Sequence, residues 1–121
     1  MMIDWNDYHA QVLKRIGEIG QASPDIVRGY RTISEAGTKT RKLDPKTREL
    51  ISLAVAVTVR CDGCIVVHTD AALKHGATRE EIIEALGVAV TVNAGAALVY
   101  SGRVLDAVQA KEKAEGKDGI G

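Results

Sequence analysis

Apolar residues recur at helical spacing from the start of the chain. Trp5, Tyr8, Val12, Ile16 and Ile19 fall three or four apart, which predicts a helix from Asp4 to about Ile19 with Gly20 as its stop. Ser23-Pro24 reads as an N-cap followed by proline at the first helical position, and opens a second helix that runs to Ala36 and ends at Gly37. The polar run Thr38 to Lys42 reads as a loop. Asp44-Pro45 repeats the cap-plus-proline signal and starts a third helix through Glu49 to about Val59. A fourth is expected from near Cys61 to Gly76. Thr78-Arg79-Glu80-Glu81 is a capping box, in which Thr78 and Glu81 satisfy each other's free backbone donors. It opens a fifth helix to about Asn93, and the small residues Ala94 to Ala97 lead into a sixth that ends near Lys113. The tail from Glu115, with three glycines, is expected to fray and be flexible.

Two segments pull the other way. Ala54 to Val59 and Val88 to Val92 alternate with β-branched residues and resemble buried strands. The caps, the lengths and the lack of hairpin turns favour helices, so the fold class predicted is all-α with about six helices. Helices that are apolar nearly all round need cover on several sides. A domain this small cannot supply it alone, which predicts an oligomer.

Length and composition narrow the rest. The 121 residues suit a single domain over 1–121, with its core at about 43–104 and a tail at 114–121. Lys+Arg and Asp+Glu balance at 16 each, so neither nucleic acid nor an anionic membrane is an expected partner. With aromatic residues at 3% and no Phe, base stacking is not expected either. The N-terminus has no basic and apolar leader, and the apolar stretch Ala85 to Val99 falls short of the roughly 20 residues that a bilayer needs. A cytoplasmic location follows as the expectation, where a cysteine pair stays reduced unless it works catalytically.

The chemistry concentrates in Cys61-Asp62-Gly63-Cys64-Ile65-Val66-Val67-His68, which holds both cysteines of the chain. On a helix, positions 61, 64 and 68 line one face. Thiols in a first helical turn are favoured as thiolates by the free amides and the dipole. His68, one turn beyond Cys64, is placed to take a proton, and Glu49 to orient or recharge His68. By that logic the more N-terminal Cys61 has the lower pKa. Taken separately, the cysteines read as small buried hydrophobes, Glu49 as a solvated charge, His9 as a surface residue and His75 as a cation at a helix C-terminus. Tyr30 and Tyr100 read as core residues with a polar tip.

Glu49, Cys61, Cys64 and His68 at this spacing, with Arg48 to Ala54 before and Ala72 to Ile82 after, resemble the active-site pattern of the AhpD-like alkylhydroperoxidases in the carboxymuconolactone decarboxylase family. The resemblance covers about Leu43 to Val104. It implies an AhpD-like helical fold with a central helical hairpin, assembled as a homotrimer or homohexamer. It also implies a peroxidatic Cys64, a resolving Cys61 and a proton relay through Glu49 and His68, with no cofactor and no metal. The substrate is then a small hydroperoxide or disulfide, and electrons return from a dithiol reductant protein, thioredoxin-like or lipoyl-bearing. The pattern departs at Gly63, where the best-studied members carry a second histidine, so the relay is shorter here. The chain matches a single-repeat member.

Three other readings start from the same residues. The four side chains are enough for tetrahedral zinc, though structural zinc usually draws on two separated ligand pairs. A lactone-acid decarboxylase would need acid–base groups and an anion clamp, for which Arg48, Arg60 and Arg103 are available, but no dithiol. A redox-sensing oligomer would share the disulfide and lack turnover.

Overall fold

A helix follows each of the predicted caps at Ser23, Asp44 and Thr78, although the Ser23 side chain makes no capping hydrogen bond and Pro24 alone marks that start. In a computed structural model that describes residues 1–116, the helices are α1 (Trp5–Ala22), α2 (Pro24–Thr40), α3 (Pro45–Val59), α4 (Asp62–Lys74) and α5 (Arg79–Ala114). Among the described residues there is no strand, and both alternating segments are helical. The fold is all-α, as expected, with five helices in place of about six. The predicted flexibility of the tail concerns in the main residues 117–121, which lie outside the described residues.

The starts are local chemistry. Asp4 accepts from the Asp7 amide at 3.1 Å, Asp44 from the Thr47 amide at 2.8 Å and Thr78 from the Glu81 amide at 3.1 Å. The Glu81 carboxylate in turn accepts from the Thr78 amide at 2.9 Å and completes the capping box.

The stops differ from expectation because glycine serves packing here. Gly20 stays inside α1, where a Cβ would approach Cγ2 of Val27 to 3.3 Å, so its bareness lets α2 fold back closely. Gly37 stays inside α2, since a Cβ there would lie 2.8 Å from Cζ of Arg48. Thr38 and Thr40 continue that helix and return their hydroxyls to the carbonyls of Glu35 and Gly37. Ala94 to Ala97 do not break α5 either, because alanine is the best helix former.

α3 and α4 form a helical hairpin joined through Arg60 and Cys61, and α5 also packs against α3. α1 rests on α4 and pairs with α2. The core is small. Leu53 is 2% exposed and packs with Ala72 and Ala77, with Leu50 and Ile82 at its margin. Large apolar residues remain outside it: Leu98 is 77% exposed, and every residue from Thr91 to Lys111 is exposed. Tyr30 and Tyr100, expected in the core, are exposed, and Arg103 stacks over the Tyr100 ring at 4.7 Å. By length and composition α5 suffices to cross a bilayer, unlike the shorter stretch read from the sequence.

Candidate functional site

The link between α3 and α4 sets the thiols. Arg60 adopts a left-handed conformation (φ 58°), which ends α3 and turns the chain. Cys61 is then extended (φ −100°, ψ 101°) and stands as the N-cap of α4. Cys64 lies in the first turn, its Cα 5.2 Å from that of Cys61, and the two sulfurs form a disulfide. Sγ of Cys61 also accepts the Cys64 amide at 3.1 Å, the hydrogen bond that an N-cap serine or aspartate would make. Both cysteines are half-buried.

One turn beyond Cys64, Nδ1 of His68 meets Oε2 of Glu49 at 2.7 Å across the hairpin. The pair is largely enclosed, with the His68 side chain 27% exposed and that of Glu49 21%. Bonding through Nδ1 fixes the ring's orientation and leaves Nε2 to exchange protons with another partner. The structure therefore brings together Cys61 with Cys64 and Glu49 with His68, on one hairpin. Gly63 faces α1, where a Cβ would rest 3.7 Å from Cγ1 of Val12. A larger residue at 63 would be directed at α1.

Glu49 and His68 line a cleft of about 630 Å³ whose wall also includes Arg41, Arg48, Ser52 and His75. The Arg48 guanidinium lies over Gly37 and makes no hydrogen bond or ion pair among the described residues. Sequence reading placed His75 only as a helix-end cation and Arg48 only as a spare anion clamp. Their presence on one wall depends on how the helices meet in the folded chain, which no spacing along the sequence announces. His9, read as a surface residue, is half-buried, close enough to Asp70 to lower that carboxyl slightly. The chief cause of that lowering is the hydrogen bond from Lys74.

Charges near the hairpin brace it. Lys46 and Glu81 pair at 2.8 Å and tie the start of α3 to the start of α5. The Lys46 hydrogen bond, then the Thr78 amide, lower the Glu81 carboxyl to about 2, and Glu81 raises Lys46 in return. Asp44 is held below its usual range by its hydrogen bonds from Thr47. Among the described residues, no three His, Cys, Asp or Glu side chains are gathered to hold a metal ion. In this oxidised state the two sulfurs are bonded to each other.

Comparison with known proteins gives this arrangement a setting. The model of the carboxymuconolactone decarboxylase family matches residues 24–107. An uncharacterized protein from Haemophilus influenzae is 43% identical over 107 residues, covering 88% of this chain and 95% of its own length. Another, from Cupriavidus necator, is 32% identical over 105 residues, covering 87% and 93%. Among solved structures, a carboxymuconolactone decarboxylase family protein from Legionella pneumophila superposes with a TM-score of 0.70 at 35% identity, over 81% of this chain and 88% of that one. A protein from Methanobacterium thermoautotrophicum gives 0.64 at 33% identity, over 69% and 94%.

Proposed function

The chain belongs to the carboxymuconolactone decarboxylase family, and from that premise we propose that it is a thiol-dependent peroxidase of the alkylhydroperoxidase type, or a disulfide reductase, that works through Cys61 and Cys64. The observation that carries the reading is the 2.7 Å Glu49–His68 contact one turn from a bonded cysteine pair. A carboxylate, an imidazole and a dithiol on one hairpin are the parts that proton-coupled thiol oxidation requires.

In the oxidative half, His68 accepts the Cys64 proton while Glu49 balances the imidazolium. The Cys64 thiolate attacks the terminal oxygen of the hydroperoxide, the O–O bond breaks, and the alcohol leaves with the proton returned by His68. The resulting Cys64 sulfenic acid is attacked at sulfur by Cys61, which expels water and forms the Cys61–Cys64 disulfide. One hydroperoxide and two thiols become alcohol, water and one disulfide. An external dithiol protein, thioredoxin-like or lipoyl-bearing, returns the two electrons. The exposed apolar length of α5 supports assembly with further copies of the chain, as a trimer or hexamer, and a cytoplasmic site of action belongs to the same reading.

The test mixes reduced protein with one equivalent of cumene hydroperoxide and follows free thiols and intact mass. Rapid loss of both thiols with a decrease of about two daltons, absent in Cys64→Ser, is expected. Thiols that persist for hours would overturn the reading.

One observation favours a second reading. Arg48, which has no ion-pair partner among the described residues, stands on the cleft wall where it can clamp a carboxylate beside Glu49 and His68, as a lactone-acid lyase would need. A Cys61→Ser, Cys64→Ser double variant that turned over such a substrate would establish it, and one without turnover would remove it.

A further inference from the structure

We infer that Cys61 is the standing thiolate of the reduced pair, and that an incoming thiol reductant attacks Sγ of Cys64 and expels Cys61. This rests on the dithiol reading above and assigns the two sulfurs their parts in the reductive half of the cycle.

The two cysteines meet different surroundings. Cys61 holds the N-cap place of α4 with its sulfur on the Cys64 amide at 3.1 Å. Serine, threonine, aspartate and asparagine dominate that place because a lone pair there satisfies an amide that the helix leaves free. When the S–S bond opens, the Cys61 sulfur keeps this hydrogen bond and lies at the positive end of the helix dipole, and both favour the anion. Asp62 is adjacent and opposes it, but its side chain is solvent-exposed and screened. Cys64 instead lends its amide to Cys61, and among the described residues its own sulfur accepts no backbone hydrogen bond. What it has nearby is His68, a proton exchanger one turn on, already oriented by Glu49.

In thiol–disulfide exchange the sulfur with the lower pKa departs faster. A reductant thiolate therefore bonds to Sγ of Cys64, and Cys61 takes the electron pair of the broken S–S bond as its thiolate. The second thiol of the reductant gives its proton to His68 and attacks the reductant's own sulfur in the mixed disulfide. Cys64 leaves and receives its proton from the His68 imidazolium. Two reductant thiols become one disulfide, and the protein returns to its dithiol state. The same Cys61 thiolate is then poised to resolve a Cys64 sulfenic acid without waiting for a base.

The experiment starts from wild-type disulfide made with diamide, so peroxide turnover plays no part. The oxidised protein is mixed briefly with reduced glutathione, quenched in acid and alkylated, and the peptide containing residues 61–74 is sequenced by tandem mass spectrometry. Glutathione on Cys64 should exceed glutathione on Cys61 by at least about tenfold. An even split, or an excess on Cys61, overturns the assignment. Thiolate absorbance near 240 nm gives a second readout in reduced single-cysteine variants. Cys64→Ser should ionise well below the usual 8.5 and Cys61→Ser should not. Serine at 61 retains the cap, so the helix start survives the substitution. The reverse order of ionisation also overturns the assignment. Should peroxide fail to oxidise the protein while glutathione still partitions to Cys64, the peroxidase reading falls and this one stands.

Discussion

Leu53 and Leu98 are the same residue type in opposite circumstances, and truncating or charging them separates what holds one chain together from what covers it. Leu53 is 2% exposed and packs between α4 and α5 against Ala72 and Ala77. Leu53→Ala removes a buried isobutyl group, and its main neighbours are alanines that have no side chain to swing into the gap. The site collapses poorly, so the cost belongs in the middle of the usual range, about 3–4 kcal/mol. For a chain of this size that lowers the melting temperature by roughly 10–20 °C. Leu98 is 77% exposed on the distal half of α5. In an isolated chain Leu98→Glu would change stability by less than about 0.5 kcal/mol. If copies of the chain cover α5, the same change buries a charge and dissociates them. Circular-dichroism melts at several protein concentrations, with light scattering for mass, distinguish the two. Leu53→Ala should melt lower at every concentration. Leu98→Glu should lose mass and the concentration dependence of its melting point together. A Leu53→Ala loss below about 1 kcal/mol would refute the placement of the core, and an unchanged mass for Leu98→Glu would refute the role given to α5.

The Lys46–Glu81 pair predicts an acid-side slope. Glu81 is held at about 2 against an ordinary 4.5, so its contribution is complete above 4.5 and drains as pH falls towards 2. The urea midpoint of wild type should therefore fall more steeply over that window than that of Glu81→Gln, and parallel curves would end the argument. Glu49→Gln keeps a hydrogen-bond acceptor on His68 but removes the charge that balances the imidazolium. Stopped-flow thiol loss with hydroperoxide should slow by about a hundredfold, and combining it with His68→Asn should cost little more than His68→Asn alone, because the two act as a unit. Gly37→Ala gains about 0.5–1 kcal/mol of helix propensity while its Cβ displaces the Arg48 guanidinium 2.8 Å away. That group is the far end of a flexible side chain, so urea unfolding should show a small net gain; a loss above about 1 kcal/mol would show that Arg48 cannot move aside.

Helix starts were legible because caps are local chemistry. Asp44-Pro45 and Thr78 with Glu81 place their hydrogen bonds within three residues, and the structure uses each as expected. Stops were less so, since glycine carries two meanings. Gly20 and Gly37 looked like terminators and instead sit inside helices, where Val27 and Arg48 pack close over the bare backbone. Only the folded neighbour decides between those meanings. The candidate site divides in the same way. That Cys61 meets Cys64 at the start of one helix, with His68 a turn further on, follows from their spacing. The approach of Glu49 follows from the hairpin, and spacing alone left it a surface charge until the family resemblance was added.

The apolar pattern of α5 ties these levels together. A helix cap at Thr78 and a run of alanines produce 36 residues of continuous helix, but the rest of the chain covers only its first turns. Selection for a solitary chain would place charge along the exposed part, as it does on α1, where Arg15 pairs with Glu18. Instead Val88, Val92, Leu98, Val99 and Leu105 stay uncovered, an expanse far beyond single scattered surface residues. The hairpin that carries Glu49, Cys61, Cys64 and His68 rests on α5 through α3. A partner copy on α5 would therefore also steady α3, and through it the carboxylate that meets His68 at 2.7 Å. If copies of the chain cover α5, Leu98→Glu should slow thiol oxidation as well as lose mass, although residue 98 lies far along the chain from either sulfur.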